Sequence, residues 1–172
     1  PAMSRVRQEC RHNNEETLLH VAFQGEIVDI IPLLSSLPAS LLQHKNLFGQ
    51  WPLHVAAPRC HLRLNAILQA HREAGIAVDT QDNLENTVLY YLLKRAALYW
   101  LNPIENGLED DVALLLAEGK FRTDHLNSDG VTVLHLAERQ EMLDVAGRLL
   151  HHDPSGVNTK TEDSQETALH IA

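Results

Sequence analysis

Residues 46–56 read NLFGQWPLHVA. Its second half, Trp51-Pro52-Leu53-His54-Val55-Ala56, has four relatives in the chain: Thr17-Leu-Leu-His-Val-Ala22, Thr87-Val-Leu-Tyr-Tyr-Leu92, Thr132-Val-Leu-His-Leu-Ala137 and Thr167-Ala-Leu-His-Ile-Ala172. The five starts, at 17, 51, 87, 132 and 167, lie 34, 36, 45 and 35 residues apart. Three of the four spacings agree within two residues, which chance does not readily give, and a fixed period is the first thing to seek in a sequence. Each copy reads as a helix start. Thr accepts a bond from a free amide of the first turn, and Pro52 suits the first helical position. The Leu and Ala that follow share one helical face, and Ala22, Ala56, Ala137 and Ala172 let neighbouring helices approach closely.

About ten residues on, a second apolar pattern appears at helical spacing. It comprises Ile27, Val28, Ile30, Ile31, Leu33 and Leu34 in the first copy and Leu64, Ile67 and Leu68 in the second. In the fourth copy it is Met142, Leu143, Val145, Leu149 and Leu150. Polar, turn-rich stretches close the units: 45–50, 81–86, 127–130 and 162–165. The sequence therefore predicts an all-α chain of helix, short turn, helix, then an extended turn. The third copy departs from its relatives. Tyr90 stands where the others have His, and Leu92 where they have Ala. A nearly continuous apolar run from Val88 to Leu101 predicts a longer first helix, ended by Asn102-Pro103. Aligning 111–119 with the other second helices places an insertion near 98–109.

This pattern resembles the ankyrin repeat, whose hallmark is Thr-Pro-Leu-His-x-Ala with a Gly two residues upstream. Gly49 and Gly130 keep that glycine and Pro52 keeps the proline. The resemblance covers residues 14–172 and implies a helical solenoid with short extended or β-turn fingers between helix pairs. The expected division is a segment over 1–15, with a cleavage scar at Pro1-Ala2-Met3, and one domain over 16–172. The units fall at about 16–49, 50–85, 86–130 and 131–165, with a partial fifth over 166–172. A solenoid needs a capped terminal unit, so the natural protein is expected to continue past Ala172.

Composition bounds the function. With 172 residues, 44% apolar and 22% charged, the chain fits one ordinary globular domain. A formal charge of −9 argues against direct nucleic-acid binding, which needs clustered Lys and Arg. Cys10 and Cys60 form no C-x-x-C pair, and two thiols in such a chain read as free and reduced, in cytoplasm or nucleus. No apolar run approaches the ~20 residues of a membrane span. No phosphate loop or nucleophile motif occurs, and Cys60-His61, adjacent on a helix, point different ways. His151-His152-Asp153 could bind metal but has no compact third ligand nearby in sequence. The acidic pairs Glu15-Glu16, Asp110-Asp111 and Glu162-Asp163 read as solvated acids at caps and turns. No enzyme, metal or cofactor is expected.

The resemblance assigns His20, His54, His135 and His170 to hydrogen bonds that tie adjacent loops. It also makes the fingers and first-helix faces the partner surface. Candidate contacts are Phe48, Trp51, Asn83, Leu84, Glu85, Tyr99, Trp100, Asn127 and Asp129. For the aromatics, the competing reading is packing between repeats or plugging a gap in the irregular third unit. The expected function is a protein-protein interaction scaffold for a partner with a basic patch. A second reading starts from NLFGQWPLHVA, which is similar to the early repeats of the inhibitor-of-NF-κB (IκB) family. That family is acidic and masks the basic localisation segment of a Rel/NF-κB-type transcription factor. A third is a targeting module of a larger effector or signalling enzyme. Oligomeric state and partner identity are not legible in the sequence.

Overall fold

The computed structural model describes residues 14–25, 34, 37–59, 64–98 and 107–171. Over these the chain is helical. The elements are α1 (Leu18–Gln24), α2 (Ala39–Leu42), α3 (Pro52–Ala56), α4 (Leu64–Glu73), α5 (Val88–Leu98), α6 (Leu108–Glu118), α7 (Val133–Arg139), α8 (Leu143–His152), a 3-10 helix over Pro154–Asn158, and α9 (Ala168–Ile171). Extended pairing among the described residues is limited to two isolated bridges, Gln81 with Thr87 and Lys160 with Thr167, at the bases of turns.

The helices pack as two rows. In one, α1 lies on α3, α3 on α5, α5 on α7 and α7 on α9. In the other, α4 lies on α6, α6 on α8 and α8 on the 3-10 helix. The rows join where α5 meets α6 and α7 meets α8. The hexamers build the first row. Leu53, Leu89 and Leu134 are buried on it, with Ala56 and Ala137 fully enclosed between helices. Leu92 takes the alanine position in α5 and is equally enclosed. The second row contributes Leu64, Ile67, Leu68, Val112, Leu115, Val145 and Leu149 to the same core. Leu143, part of the apolar pattern of α8, is instead 70% exposed at that helix's first turn.

α5 is longer than α3 and α7, as its apolar run predicts. The helix after it begins at Leu108, behind the left-handed Gly107, with Glu109, Asp110 and Asp111 in the first turn where acids suit the helix dipole. Residues 99–106, the body of the expected insertion, lie outside the described residues, as do residues 1–13, Cys60 and His61.

Candidate functional site

The turns that precede the hexamers share one construction. Asn46 Oδ1 accepts from the amides of Phe48 and Gln50, both at 3.0 Å. Asp82 Oδ1 accepts from Leu84 and Asn86 at 2.9 Å, and Asn127 Oδ1 from Asp129 and Val131 at 3.1 and 3.0 Å. Such side chains fold a turn by mimicking its backbone. Backbone bonds close each loop: Asn46 N to Gln50 O, Asp82 N to Asn86 O, Asn127 N to Val131 O, and Thr161 N to Glu166 O in a turn one residue longer.

Two residues before each hexamer the backbone is left-handed, at Glu15 (φ 56°), Gly49 (74°), Glu85 (59°), Gly130 (67°) and Gln165 (56°). The two glycines have a second reason to be there. A Cβ on Gly49 would lie 2.2 Å from Asn83 Oδ1, and one on Gly130 2.6 Å from Glu162 Cβ. The turns are close because they bond to one another. Leu47 N donates to Asn14 O, Asn83 N to Phe48 O, Ser128 N to Leu84 O and Glu162 N to Gly130 O. The result is one continuous row of turn tips.

The histidines brace this row from behind. In α1, α3, α7 and α9, Nδ1 of His20, His54, His135 and His170 accepts the backbone N–H of the residue three earlier, at 3.1–3.4 Å. A backbone N–H can only donate, so Nδ1 is bare and the proton sits on Nε2. That proton reaches the next loop: His20 Nε2 donates to Gln50 O at 2.9 Å, and His54 Nε2 to Thr80 O at 3.1 Å. His135 Nε2 is buried without a bond in range. His170 is exposed. Burial pushes the His20, His54 and His135 imidazoles below their ordinary range, His54 to about 4, with the carbonyl bonds of His20 and His54 opposing the shift.

The sequence-predicted contacts divide by burial. Phe48 and Leu84 project from neighbouring tips, 54% and 55% exposed, beside Leu47 at 51%. Asn83, Glu85 and Asp129 are exposed on the same row. Asn127 is corrected: it is 5% exposed, its Oδ1 folds its own turn and its Nδ2 donates to Asn86 Oδ1 at 2.7 Å, so its side chain is buried between turns rather than presented on the row. Trp51 is half-buried against the core. Tyr99 and Trp100 lie outside the described residues. Along the row the character changes, from apolar (Leu47, Phe48, Leu84) to acidic (Glu85, Asp129, Glu162, Asp163), all exposed.

Sequence reading missed Tyr91, Asp82 and His125. Tyr90 replaces the histidine, but the polar contacts belong to its neighbour. The Tyr91 hydroxyl donates to Asp82 Oδ2 at 2.6 Å and accepts from Gln50 Nε2 at 2.7 Å. Burial first, and the Asp82 bond second, push that phenol up to about 12. His125 Nε2 lies 3.0 Å from both Glu85 O and the Gln81 amide nitrogen. The carbonyl can only accept, so Nε2 carries the proton and Gln81 must turn its oxygen toward it. The only legible signal was a second tyrosine beside the first.

His151 and His152 are exposed, while Asp153 accepts from the amides of Thr123 (2.8 Å) and Ser155 (3.0 Å) and from Ser155 Oγ (2.7 Å). These bonds, the Thr123 amide foremost, hold its carboxyl at about 2. The motif thus caps the 3-10 helix and ties it to the 119–124 loop. Among the described residues no group of three or more His, Cys, Asp or Glu is placed to hold a metal ion, and no helix is long and apolar enough to cross a membrane.

No family model matches the chain. Over 165 residues it is 28% identical to the nuclear factor NF-kappa-B p105 subunit of Gallus gallus, covering 94% of this chain. The chain spans about 15% of the length of that relative.

Proposed function

We propose that this segment is an ankyrin-repeat solenoid that binds a protein partner through its row of turn tips and does no catalysis itself. The observation that carries this reading is the row: four successive turns, locked by backbone bonds, with Leu47, Phe48 and Leu84 held in water. Exposed clustered apolar side chains on rigid supports are what protein interfaces use as anchors. The acidic continuation through Glu85, Asp129, Glu162 and Asp163, on a chain of net charge −9, suits a partner with a basic segment and would steer its approach.

The similarity to an NF-kappa-B subunit favours a second, narrower reading. In it the segment masks a Rel-type transcription factor in cytoplasm or nucleus, its acidic tips meeting the basic localisation segment.

Immobilised protein tested against a purified Rel-homology dimer decides the narrower reading: no binding at micromolar concentration sinks it. For the broader one, Phe48→Ala combined with Leu84→Ala should abolish capture of partners while leaving the helical circular dichroism unchanged. Partner capture undiminished in that double variant would remove the tips from the interface.

A further inference from the structure

In the first row of helices a histidine Nδ1 holds the start of every helix except α5, where Tyr90 occupies the position, and His20 and His54 also reach the next loop. Two other arrangements join the turns around this gap. The second and third turns are joined from the far side, by His125 on Glu85 O and by Asn127 Nδ2 on Asn86 Oδ1. The first and second turns, already tied at their base by His54, are bridged above it by one phenol, Tyr91, which joins Gln50 Nε2 to Asp82 Oδ2.

Both ends of that bridge are nodes. Gln50 closes the first turn: its carbonyl receives His20 Nε2 and its Oε1 receives Asn46 Nδ2 at 3.1 Å. Asp82 folds the second turn with its other oxygen. The Tyr91 ring is fixed edge-on to His54, centroids 5.9 Å apart at 89°, so the hydroxyl has little freedom to leave. Of the other links between these two turns, His54 Nε2 to Thr80 O at 3.1 Å lies at their base, while Asn83 N to Phe48 O and Asn83 Nδ2 to Leu47 O at 3.0 Å sit at the exposed tip and compete with water.

We propose that Tyr91 is the positioning residue of the docking row: its hydroxyl fixes the spacing of the Phe48 and Leu84 tips, so the apolar anchors meet a partner pre-formed. This rests on the reading of the tips as an interface. Removing the hydroxyl leaves a carboxylate oxygen and an amide donor facing each other without their common partner, half-shielded from water. Local opening of the first turn against the second then becomes easier, and ordering it again falls on the binding step.

Tyr91→Phe in the whole chain tests this without any partner, by amide hydrogen exchange. The Asn83 amide, bonded to Phe48 O, should exchange about tenfold faster, a shift of the size expected for loss of one such bond. The Ser128 amide, bonded to Leu84 O across the gap that His125 and Asn127 hold, should be unchanged, as should the helical circular dichroism. Equal Asn83 protection in both proteins overturns the proposal. So does equal acceleration at Ser128, which is general loosening. If Tyr91→Phe loses its helical signal, Gln50→Met cuts the same bridge from the other end, together with the Asn46 Nδ2 bond inside the first turn, and takes the same comparison. A Rel-homology dimer supplies the binding arm: it should leave Tyr91→Phe about tenfold faster, with association unchanged. A dimer that ignores the unmodified protein sinks the Rel reading alone, and the exchange comparison still decides the role of Tyr91.

Discussion

Glu85 shows how a single residue departs from the local pattern and what that is worth. Its backbone is left-handed, at φ 59°, in a position where two other turns use glycine. For a residue with a Cβ that conformation costs roughly 1–2 kcal/mol. The Glu85 side chain is exposed and its useful atom is the carbonyl that receives His125. Glu85→Gly should therefore raise the unfolding free energy, read from the urea midpoint, by about 1 kcal/mol after the entropy of the added glycine is subtracted. Gly49→Ala should do the reverse and by more, because the new methyl meets Asn83 as well as the φ penalty. Histidine protonation belongs to this scale too. His54 is neutral when folded, at about 4, against an ordinary 6.5. The unfolded chain then binds protons first, so its stabilisation is whole above pH 6.5 and is lost as pH falls toward 4. His54 should contribute a slope of about 1.4 kcal/mol per pH unit in that window. Urea unfolding at pH 7, 6 and 5 measures it, and His54→Asn should flatten the curve.

At the scale of the element, α5 repays comparison with α3 and α7. Its Leu92 stands where they have Ala56 and Ala137, and restoring the alanine looks like a repair by sequence pattern. The structure says otherwise: Leu92 is wholly enclosed, so its bulk is packed rather than tolerated. Leu92→Ala should lower stability by about 2–5 kcal/mol through the cavity it leaves, read as a drop in the thermal midpoint. The period and the helical spacing made this element's start legible, and also that it outlasts α3 and α7. The replacement of its histidine tie was not, because the substitutes are distant in sequence. Tyr91 reaches Gln50, 41 residues earlier, and His125 reaches Glu85, 40 residues earlier. No local propensity encodes such a pairing.

Across the whole molecule, each helix packs mainly on its immediate neighbours in two rows, with ion pairs of Arg72 with Glu118 and Arg148 with Glu109 laid across the second. Stability in such an arrangement is transmitted neighbour to neighbour. Leu149→Ala should accordingly raise hydrogen exchange in α8 and α7 well before it is felt in α1 and α3. A uniform rise along the chain would show a single cooperative core instead. The hexamers and their spacing determined the starts of α1, α3, α5, α7 and α9, the turns before them and the burial of one helical face, because those depend on period and on residues close in sequence. The turn-rich stretches between them hold Phe48, Leu84, Glu85 and Asp129, which are exposed. Only the tertiary structure decided which turn residues face water. Asn127 and Asp129 are two positions apart and equally polar, yet one is buried in its own turn and the other is exposed. The difference arises from the bonds of Asn127 to its own turn and to Asn86, and a bond between turns 41 residues apart exists only once the helices behind them have stacked.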